Sequence, residues 1–325
     1  MKPTKTNGIR VFVATAILAW SAVTQAAQSY PTRPIRFVNG SPSGGPTDAA
    51  GRIIGEALSQ VLGQTVVNDS RPGADGAIAP ELVARAPPDG YTLLLGNQSS
   101  MAGVPAMRKK LPYDPIADFA PIAFIAWNSG LLVVHPAVSA RTIAELVEYA
   151  RANPGKLNFA AASPPAILTA ALLKSTAKPD MVNVAYKGDV AAMPDLLSGR
   201  VHVGRGGMNL LLPYVKDGRL RALAVTMRNR SRVLPELPTM AEAGFPGFSI
   251  YGWFALFGPT KMPTSIVERL EREVNAVLKR PDIQDQYNKI GFEMGGPSRQ
   301  ELAAFVKEQI EAWAAAARDA GIQPQ

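Results

Sequence analysis

Short apolar runs alternate with longer amphipathic stretches through most of this chain. Runs rich in branched and aromatic residues predict buried strands, and stretches whose apolar residues recur every three or four positions predict helices. The predicted strands span residues 34–39, 65–68, 91–97, 130–136, 157–161, 181–188, 201–203, 220–226 and 249–259. The predicted helices span residues 46–63, 77–86, 141–155, 165–175, 191–199, 264–280 and 282–290, with a last one from residue 298. This alternation is typical of a parallel sheet covered by helices on both faces.

The first long helix shows how its ends and its buried face are predicted. Pro46 suits the first helical position, where no amide hydrogen bond is needed, and Gly63 suits the end. An apolar face is expected at Ala49, Ile53, Ala57 and Val61.

Two further helices begin at capping boxes. Thr142 precedes Glu145 by three residues, and Ser298 precedes Glu301 in the same way. The last helix carries an apolar face, formed by Leu302, Phe305, Val306, Ile310 and Trp313. Residues 232–248 are rich in proline and glycine, so we expect an irregular connection there.

The order of these elements predicts two doubly wound α/β domains. A new unit begins near residue 130, whereas the C-terminal helices have no strands of their own and must pack on the first sheet. The chain therefore crosses between the units twice, near residue 127 and near residues 249–253, which predicts a two-strand hinge. We expect residues 27–128 and 252–325 to form domain 1 and residues 129–251 to form domain 2.

The first 26 residues are predicted to be a cleaved signal peptide. Lys2, Lys5 and Arg10 precede the apolar stretch at residues 11–22, and Ala26 suits a signal peptidase. The alternative is an uncleaved anchor helix, but the stretch is short for a membrane span and no stop-transfer pattern follows. We therefore expect a soluble, exported protein.

Composition narrows the classes of function. The chain has no cysteine, so no disulfide and no thiol chemistry are available. The formal net charge is +8, or +5 without the three cations of the leader. A mild positive charge is compatible with attraction of anionic ligands, and it is equally compatible with ordinary surface charge that has no such role. No dense run of Lys and Arg occurs, so nucleic acid is not an expected partner.

Residues 39–54 hold a loop that follows a strand and opens a helix. Its adjacent glycines and the helix start provide unpaired amides and a partial positive charge, which together can hold an anion. No Lys-Ser/Thr follows the glycines and G-x-G-x-x-G is absent, which excludes the common nucleotide loops. A carboxylate is the remaining choice of anion, and a tight turn with a capped helix is the alternative. Asp48 either orients this loop or meets a ligand hydroxyl or amine.

Other loops at strand ends repeat the theme. The carboxyl ends of parallel strands face one crevice, so loops at residues 73–76, 96–99, 160–166, 186–190 and 204–209 are expected to converge. Lys187 and Arg205 provide cations on these loops, although each is also compatible with a solvated surface charge.

Enzyme motifs are scarce. His135 and His202 lie in or beside apolar strands, which favours structural roles, and Ser175 with Lys178 forms a weak S-x-x-K match. A zinc site would need clusters that the sequence lacks. We therefore expect neither catalysis nor a cofactor.

Ordered motifs across the chain resemble one family. They are YPTRPIRFVNGSPSGGPTD, VVNDSRPGADGAIAPELVARAPPDGYTLLLG, KKLPYDPIADFAPI, VVHP, ANPGKLNFA, VNVAYKG, DLLSGRV, VKDGRLRALAVT, LPELPTMAEAGFPG and WFALFGP. The chain resembles the Bug family, the periplasmic substrate-binding proteins of tripartite tricarboxylate transporters.

The resemblance implies a type II periplasmic-binding-protein-like fold that closes on a small carboxylate or amino acid. It implies transfer of that ligand to integral-membrane permease subunits, with the receptor a monomer in the periplasm. The family's first loop matches residues 43–48, and its Tyr-Lys-Gly matches residues 186–188. Pro164 and Pro165 replace residues that have amide donors in the family, and Arg205 offers a bidentate contact instead.

The residues expected to bind the ligand combine the resemblance with the loops at strand ends. They are Ser43, Gly44, Gly45, Pro46, Thr47, Asp48, Gly76, Asn97, Ser163, Tyr186, Lys187, Gly188, Arg205 and Asn209. The main alternative to a transport receptor is an exported ligand sensor of the same fold that signals to a partner. A hydrolase using Ser175 and Lys178, or the histidines, is a further alternative.

Overall fold

Two β-sheets organise the chain in this computed structural model, which describes residues 30–178, 180–227, 229–246, 248, 250–319 and 321–324. The predicted signal peptide lies outside the described residues. The six-stranded sheet comprises β1 Ile35–Asn39, β2 Val66–Ser70, β3 Thr92–Asn97, β4 Phe119–Asn128, β10 Gly252–Pro259 and β11 Phe292–Glu293. The five-stranded sheet comprises β5 Gly130–Val134, β6 Leu157–Ala161, β7 Met181–Ala185, β8 Val203–Gly207 and β9 Arg221–Val225.

Helices connect and cover these strands. They are α1 Pro46–Leu62, α2 Ile78–Ala84, α3 Val104–Met107, α4 Ile143–Ala152, α5 Pro164–Ala177, α6 Asp189–Ser198, α7 Met208–Lys216, α8 Thr264–Leu278, α9 Pro281–Lys289 and α10 Arg299–Asp319. A 3₁₀ turn at Ala74–Gly76 and a π-helical turn at Ser99–Gly103 follow β2 and β3. Among the helices of the described part of the chain, none is both long and apolar enough to cross a membrane.

Both sheets are mixed, which corrects the expectation of a parallel sheet. Their strand orders are β11-β4-β10-β3-β1-β2 and β7-β6-β8-β5-β9. β1 runs parallel to β2 and β3, and β6 runs parallel to β7 and β8. In contrast, β10 is antiparallel to β3 and β4, and β5 is antiparallel to β8 and β9. The chain leaves the six-stranded sheet through β4 and returns beside it through β10, so these two strands must run in opposite directions.

The two crossings lie side by side. Gly252 pairs with Asn128 at the ends of β10 and β4, and β5 begins two residues later. A Cβ on Gly252 would lie 2.8 Å from the Asn128 carbonyl oxygen, so only glycine permits this approach. The predicted positions of the crossings agree with this arrangement.

The buried face of α1 is rotated by one position from the predicted one. Ala50, Ile54 and Leu58 are fully buried, whereas Val61 is 45% exposed. The larger Leu58 belongs to the series that starts at Ala50, so burying that series removes more apolar surface from water. Ala57 is buried as expected, and Gly63 ends the helix with φ 65°.

Four of the described strands and helices were not predicted, namely β4, β11, α3 and α7. Residues 204–209 were expected to form a loop. Instead, residues 204–207 belong to β8 and pair with residues 130–133 of β5, and α7 begins at Met208. α7 was missed because Pro213 lies inside it, and proline normally indicates a helix end.

The C-terminal helices pack on the six-stranded sheet, as expected. α8 and α9 share a core with α1 on one face, and α10 packs with α2 on the other. Both capping-box helices begin where predicted. The Thr142 hydroxyl accepts the Glu145 N–H at 3.1 Å, and the Glu301 carboxylate accepts the Ser298 N–H at 2.9 Å.

Candidate functional site

A cavity of about 750 Å³ lies between the two sheets. Residues 40–42, 45–47, 72–76 and 97–99 line it from the six-stranded sheet, and residues 162–165, 186–190, 205 and 207 line it from the five-stranded sheet. Asn128 and Phe254, on the crossing strands, complete the wall. These segments follow strand ends, which is where the sequence placed converging loops.

The end of β3 holds the loop at residues 40–47. Asn97 Nδ2 donates to Thr47 Oγ1 at 2.8 Å and to Ser41 Oγ at 3.2 Å. The two hydroxyl oxygens lie 2.8 Å apart, which completes a triangle of polar groups. Because Asn97 is buried, this network fixes the loop at the wall of the cavity.

Asp48 shapes the same loop from behind. Its Oδ2 accepts the Gly44 N–H at 2.9 Å and Arg52 Nε at 3.0 Å, and its Oδ1 accepts Asn68 Nδ2 at 2.6 Å. The side chain is buried and does not line the cavity. Of the two roles considered for Asp48, the structure therefore supports orientation of the loop.

Loops from the two sheets meet across the cavity. A Cβ on Gly207 would lie 2.5 Å from Pro46 Cγ, and one on Gly188 would lie 3.3 Å from Pro42 Cγ. Gly188 also has φ 118°, a conformation that favours glycine. The start of α1 thus rests on the end of β8, and the 40–47 loop rests on the start of α6.

Four helices of nine or more residues begin at the cavity. They are α1, α5, α6 and α7, and their N-cap residues Gly45, Ser163, Gly188 and Gly207 make no side-chain capping hydrogen bond. First-turn amides have no partner within their own helix, and each helix start carries a partial positive charge. Each helix start therefore contributes a partial positive charge to the cavity wall, which suits an anion.

Prolines reduce the number of amide donors at two of these helix starts. Pro46 occupies the first turn of α1, and Pro164 and Pro165 occupy that of α5. Proline has no N–H, so α5 offers fewer first-turn donors than α6 does. The loss of a backbone carboxylate contact at residues 163–165 stays a prediction.

Arg205 is the buried cation of the cavity and is 5% exposed. Its Nη2 donates to Thr226 Oγ1 at 3.3 Å and to the Ile250 carbonyl at 3.5 Å, whereas its buried Nε has no hydrogen-bond partner. A Cβ on Gly130 would lie 2.7 Å from Nη2, so this glycine makes room for the guanidinium. Burial lowers the pKa of Arg205 to about 10, which leaves it protonated at neutral pH.

Asp189 is the buried carboxylate of the cavity. The residue as a whole is partly exposed, but its Oδ1 is enclosed and makes no hydrogen bond. Burial raises the pKa of Asp189, and Arg205 and Ser163 oppose that rise. Ser163 Oγ lies near enough to act on the carboxylate, yet it completes no hydrogen bond either.

Tyr186 and Lys187 lie beside Asp189 in sequence and also line the cavity. The Tyr186 hydroxyl donates to Asp195 Oδ2 at 2.8 Å, and burial together with Asp195 raises the pKa of Tyr186 to about 12. Tyr186 is therefore neutral at physiological pH. Lys187 is exposed and places a positive charge at the rim.

Most of the residues predicted to bind a ligand surround this one cavity. Those that line it are Gly45, Pro46, Thr47, Gly76, Asn97, Ser163, Tyr186, Lys187, Gly188 and Arg205. Ser43, Gly44, Asp48 and Asn209 do not line it. Ser43 and Gly44 are exposed on the outer turn of the 40–47 loop, Asp48 points away, and Asn209 lies in the first turn of α7.

Sequence reasoning missed other polar residues of the wall. Ser41, Gln98, Asn128 and Asp189 line the cavity but were not selected. Asp189 could have been selected from the sequence, because it directly follows the Tyr-Lys-Gly motif on a loop that was expected to lie at the crevice. Asn128 lies at the end of β4, which was itself not predicted.

The residues considered for catalysis have local structural contacts. His202 Nδ1 accepts the Asn158 N–H at 3.1 Å, and His135 Nδ1 accepts the Ala137 N–H at 3.2 Å. The Ser175 hydroxyl donates to the Leu172 carbonyl at 3.2 Å. None of these side chains lines the cavity. Within the described ranges, no group of three or more His, Cys, Asp or Glu is placed to hold a metal ion.

A sequence profile decides the family. The profile of the tripartite tricarboxylate transporter family receptor matches residues 50–322, most of the chain. The chain belongs to this receptor family. Proteins of the family are periplasmic substrate-binding receptors, and the resemblance found in the sequence is confirmed.

Individual members of the receptor family show the same likeness. Protein BugT of Bordetella pertussis is 32% identical over 316 residues, which cover 96% of this chain and 96% of BugT. The structure of R. palustris Rpa4515 with adipate has a TM-score of 0.86 and 36% identity, covering 91% of this chain and 100% of that one. MatC (Rpa3494) from Rhodopseudomonas palustris with bound malate has a TM-score of 0.81 and 29% identity, covering 88% and 99%. These likenesses confirm the predicted periplasmic-binding-protein fold class.

Proposed function

We propose that this protein is an exported receptor that captures a small organic acid and passes it to the integral-membrane permease of a tripartite tricarboxylate-type transporter. The observation that carries the proposal is the meeting of four uncapped helix starts around one cavity. Arg205 and Lys187 add positive charge to the same wall. A carboxylate placed there accepts hydrogen bonds from first-turn amides and neutralises this charge.

The size of the cavity and the solved relatives support a small acid. A volume of about 750 Å³ lies within the usual range for small-molecule sites. The two solved relatives described above hold adipate and malate, both dicarboxylates. This function requires no covalent bond to be formed or broken.

Capture is proposed to proceed by closure of two domains, residues 27–128 with 252–325 and residues 129–251. The paired crossings at Asn128 and Gly252 would act as the hinge. The contacts of Pro42 with Gly188 and of Pro46 with Gly207, which are present in this structure, would be lost when the domains open and restored when they close. Export would rely on the signal peptide at residues 1–26, and the receptor would act as a monomer.

Calorimetry on residues 27–325 tests the binding step. We expect saturable binding of at least one acid in a panel of mono-, di- and tricarboxylates and amino acids, with a matching rise in melting temperature, because only the folded state binds. Arg205→Gln should weaken binding about tenfold or more, since a hydrogen bond to a charged group is lost. The control is Arg219→Gln, whose exposed side chain stacks on Tyr214 away from the cavity.

Two results would contradict the proposed binding. One is a panel in which no acid binds, and the other is an equal effect of the two arginine variants. The transport step is tested by uptake of the bound acid in a strain that lacks this receptor. Loss of uptake is expected, whereas unchanged uptake with altered gene expression would favour the sensor.

A further inference from the structure

Asp189 gives the cavity a second chemical character that a simple anion site does not have. It is the first residue of α6 and lines the cavity, and its Oδ2 would lie 3.8 Å from a Cβ on Gly206. Oδ1 is buried and makes no hydrogen bond. A buried carboxylate oxygen without a donor is costly, so a donor supplied by the ligand would be strongly favoured.

Nearby polar groups do not satisfy this carboxylate. Arg205 lines the same cavity, and its Nη2 donates to Thr226 Oγ1 and to the Ile250 carbonyl rather than to Asp189. Ser163 Oγ, close to Asp189, also lacks a partner. Asp189 and Arg205 therefore carry opposite charges at the cavity without forming a hydrogen bond to each other.

Asp75, the other acidic residue of the wall, does not play this part. It is exposed, and its Oδ2 accepts Arg108 Nη2 at 2.8 Å. Its charge is therefore already paired and hydrated. Among the described residues that line the cavity, Asp189 is the carboxylate with a buried oxygen left to fill.

The unpaired buried atoms of the wall include two acceptors besides the Arg205 Nε donor and the Ser163 hydroxyl. Asn128 lines the same cavity, and its Oδ1, like Asp189 Oδ1, is buried without a donor. An amide oxygen and a carboxylate oxygen both accept hydrogen bonds, and an ammonium group offers three N–H donors. A dicarboxylate, in contrast, would place its second negative charge against Asp189, and a simple monocarboxylate would leave Asp189 unpaired.

We propose that Asp189 binds a protonated amine of the ligand, so that the preferred ligand is a carboxylate that also carries an amino group. This inference rests on the proposed function, because it assigns the carboxylate of the same ligand to the helix starts and Arg205. Asp189 then determines specificity, and it sets this receptor apart from one that takes dicarboxylates.

Ligands matched in length test the proposal by calorimetry on residues 27–325. One set is 6-aminohexanoate, adipate and hexanoate, and a second is 4-aminobutanoate, succinate and butanoate. A third compares 2-aminobutanoate with butanoate. In at least one set, we expect the amino acid to bind at least tenfold more tightly than every acid of the same length without an amine. If an acid without an amine binds as tightly as the amino acid in every set, the proposal is wrong.

Variants then assign the preference to one side chain. Asp189→Asn keeps the shape and removes the charge, so the preference for the amine should fall to threefold or less. Asp282→Asn makes the same change in the first turn of α9, away from the cavity, and should keep the full preference. An Asp189→Ser variant, measured alongside, gives a second reading if Asp189→Asn folds poorly. An unchanged preference in either folded Asp189 variant would overturn the assignment.

The experiment separates this inference from the proposed function. If acids without an amine bind well and the amine brings no gain, the receptor function stands and the role of Asp189 fails. If no acid in any set binds to the wild-type protein, both fail.

Discussion

At the scale of the residue, Asp189 links the stability of the protein to pH. Burial raises its pKa above the ordinary carboxyl value, so the folded state holds the proton more tightly than the unfolded chain does. Asp189 therefore does not lower the free energy of unfolding at low pH, where the carboxyl group is protonated in both the folded and the unfolded state. A penalty appears as the pH rises above the ordinary carboxyl range, because the folded state must then ionise a buried group.

Asp189→Asn should consequently raise the melting temperature of the ligand-free protein at pH 8 and leave it nearly unchanged at pH 4. The substitution removes the cost of ionising a buried group but keeps a polar side chain, so we expect a rise of a few degrees for a chain of this size. Thermal unfolding followed by circular dichroism at the two pH values measures the effect.

The control for this effect is Asp282→Asn. The Arg280 side chain lowers the pKa of Asp282, so removing that carboxylate should not raise the melting temperature at pH 8. A lower melting temperature for Asp189→Asn at pH 8 would show that the carboxylate has a stabilising partner.

The residue scale also shows where sequence reasoning stops. Loop positions at strand ends were sufficient to bring Thr47, Asn97, Tyr186 and Arg205 to one cavity. They were not sufficient to say which side chains face inward. Asp48 turns away because the Gly44 amide and Asn68 hold it, and those contacts depend on how β2 packs beside α1.

At the scale of the element, the start of α5 limits how many backbone donors face the ligand. Pro165 lines the cavity in the first turn and has no N–H. Pro165→Ala restores one amide, so the Kd for the bound acid should fall by up to about tenfold, as expected for a hydrogen bond to a charged group. The fold should lose about 1 kcal/mol or less, because alanine leaves the unfolded chain more freedom.

Pro281→Ala provides the matched control, since Pro281 begins α9 and does not line the cavity. It should change stability by a similar amount and leave the Kd unchanged. Calorimetry with the same acid measures both variants. An equal Kd for wild type and Pro165→Ala would show that the α5 start makes no contact with the acid.

Elements differed in how far the sequence predicted them. Apolar runs located most strands, and the capping boxes located the starts of α4 and α10. Strand direction was harder, because β10 runs antiparallel to β3 only as a result of the long excursion through the five-stranded sheet. α7 was hidden because glycines precede it and Pro213 lies within it.

At the scale of the whole molecule, a shared hydrophobic cluster joins the parts built on the two sheets. Leu168 of α5 packs with Ala102, Ile250, Trp313 and Ala317, and Trp313 belongs to α10. α5 covers the five-stranded sheet, whereas α10 covers the six-stranded one. Burial of this cluster therefore stabilises the arrangement of the two sheets as well as each part.

Leu168→Ala should lower the free energy of unfolding by about 2–5 kcal/mol, because the side chain is fully buried and leaves a cavity. Ile167→Ala changes the neighbouring residue, which is 37% exposed, and should cost about 1 kcal/mol or less. Guanidinium unfolding followed by tryptophan fluorescence compares the two. Similar losses in both variants would mean that the cluster contributes little to stability.

The contacts between glycines and prolines across the cavity limit the size of the ligand. Gly188 and Gly207 contribute no side chain to their contacts with Pro42 and Pro46, so these contacts do not select between ligands by chemical type. Selection of the ligand therefore depends on two separate properties. The polar groups of the wall select the ligand by its charge, whereas the contacts between the loops limit its width. An acid of suitable charge but greater width would therefore not bind, because the loops could not come into contact around it.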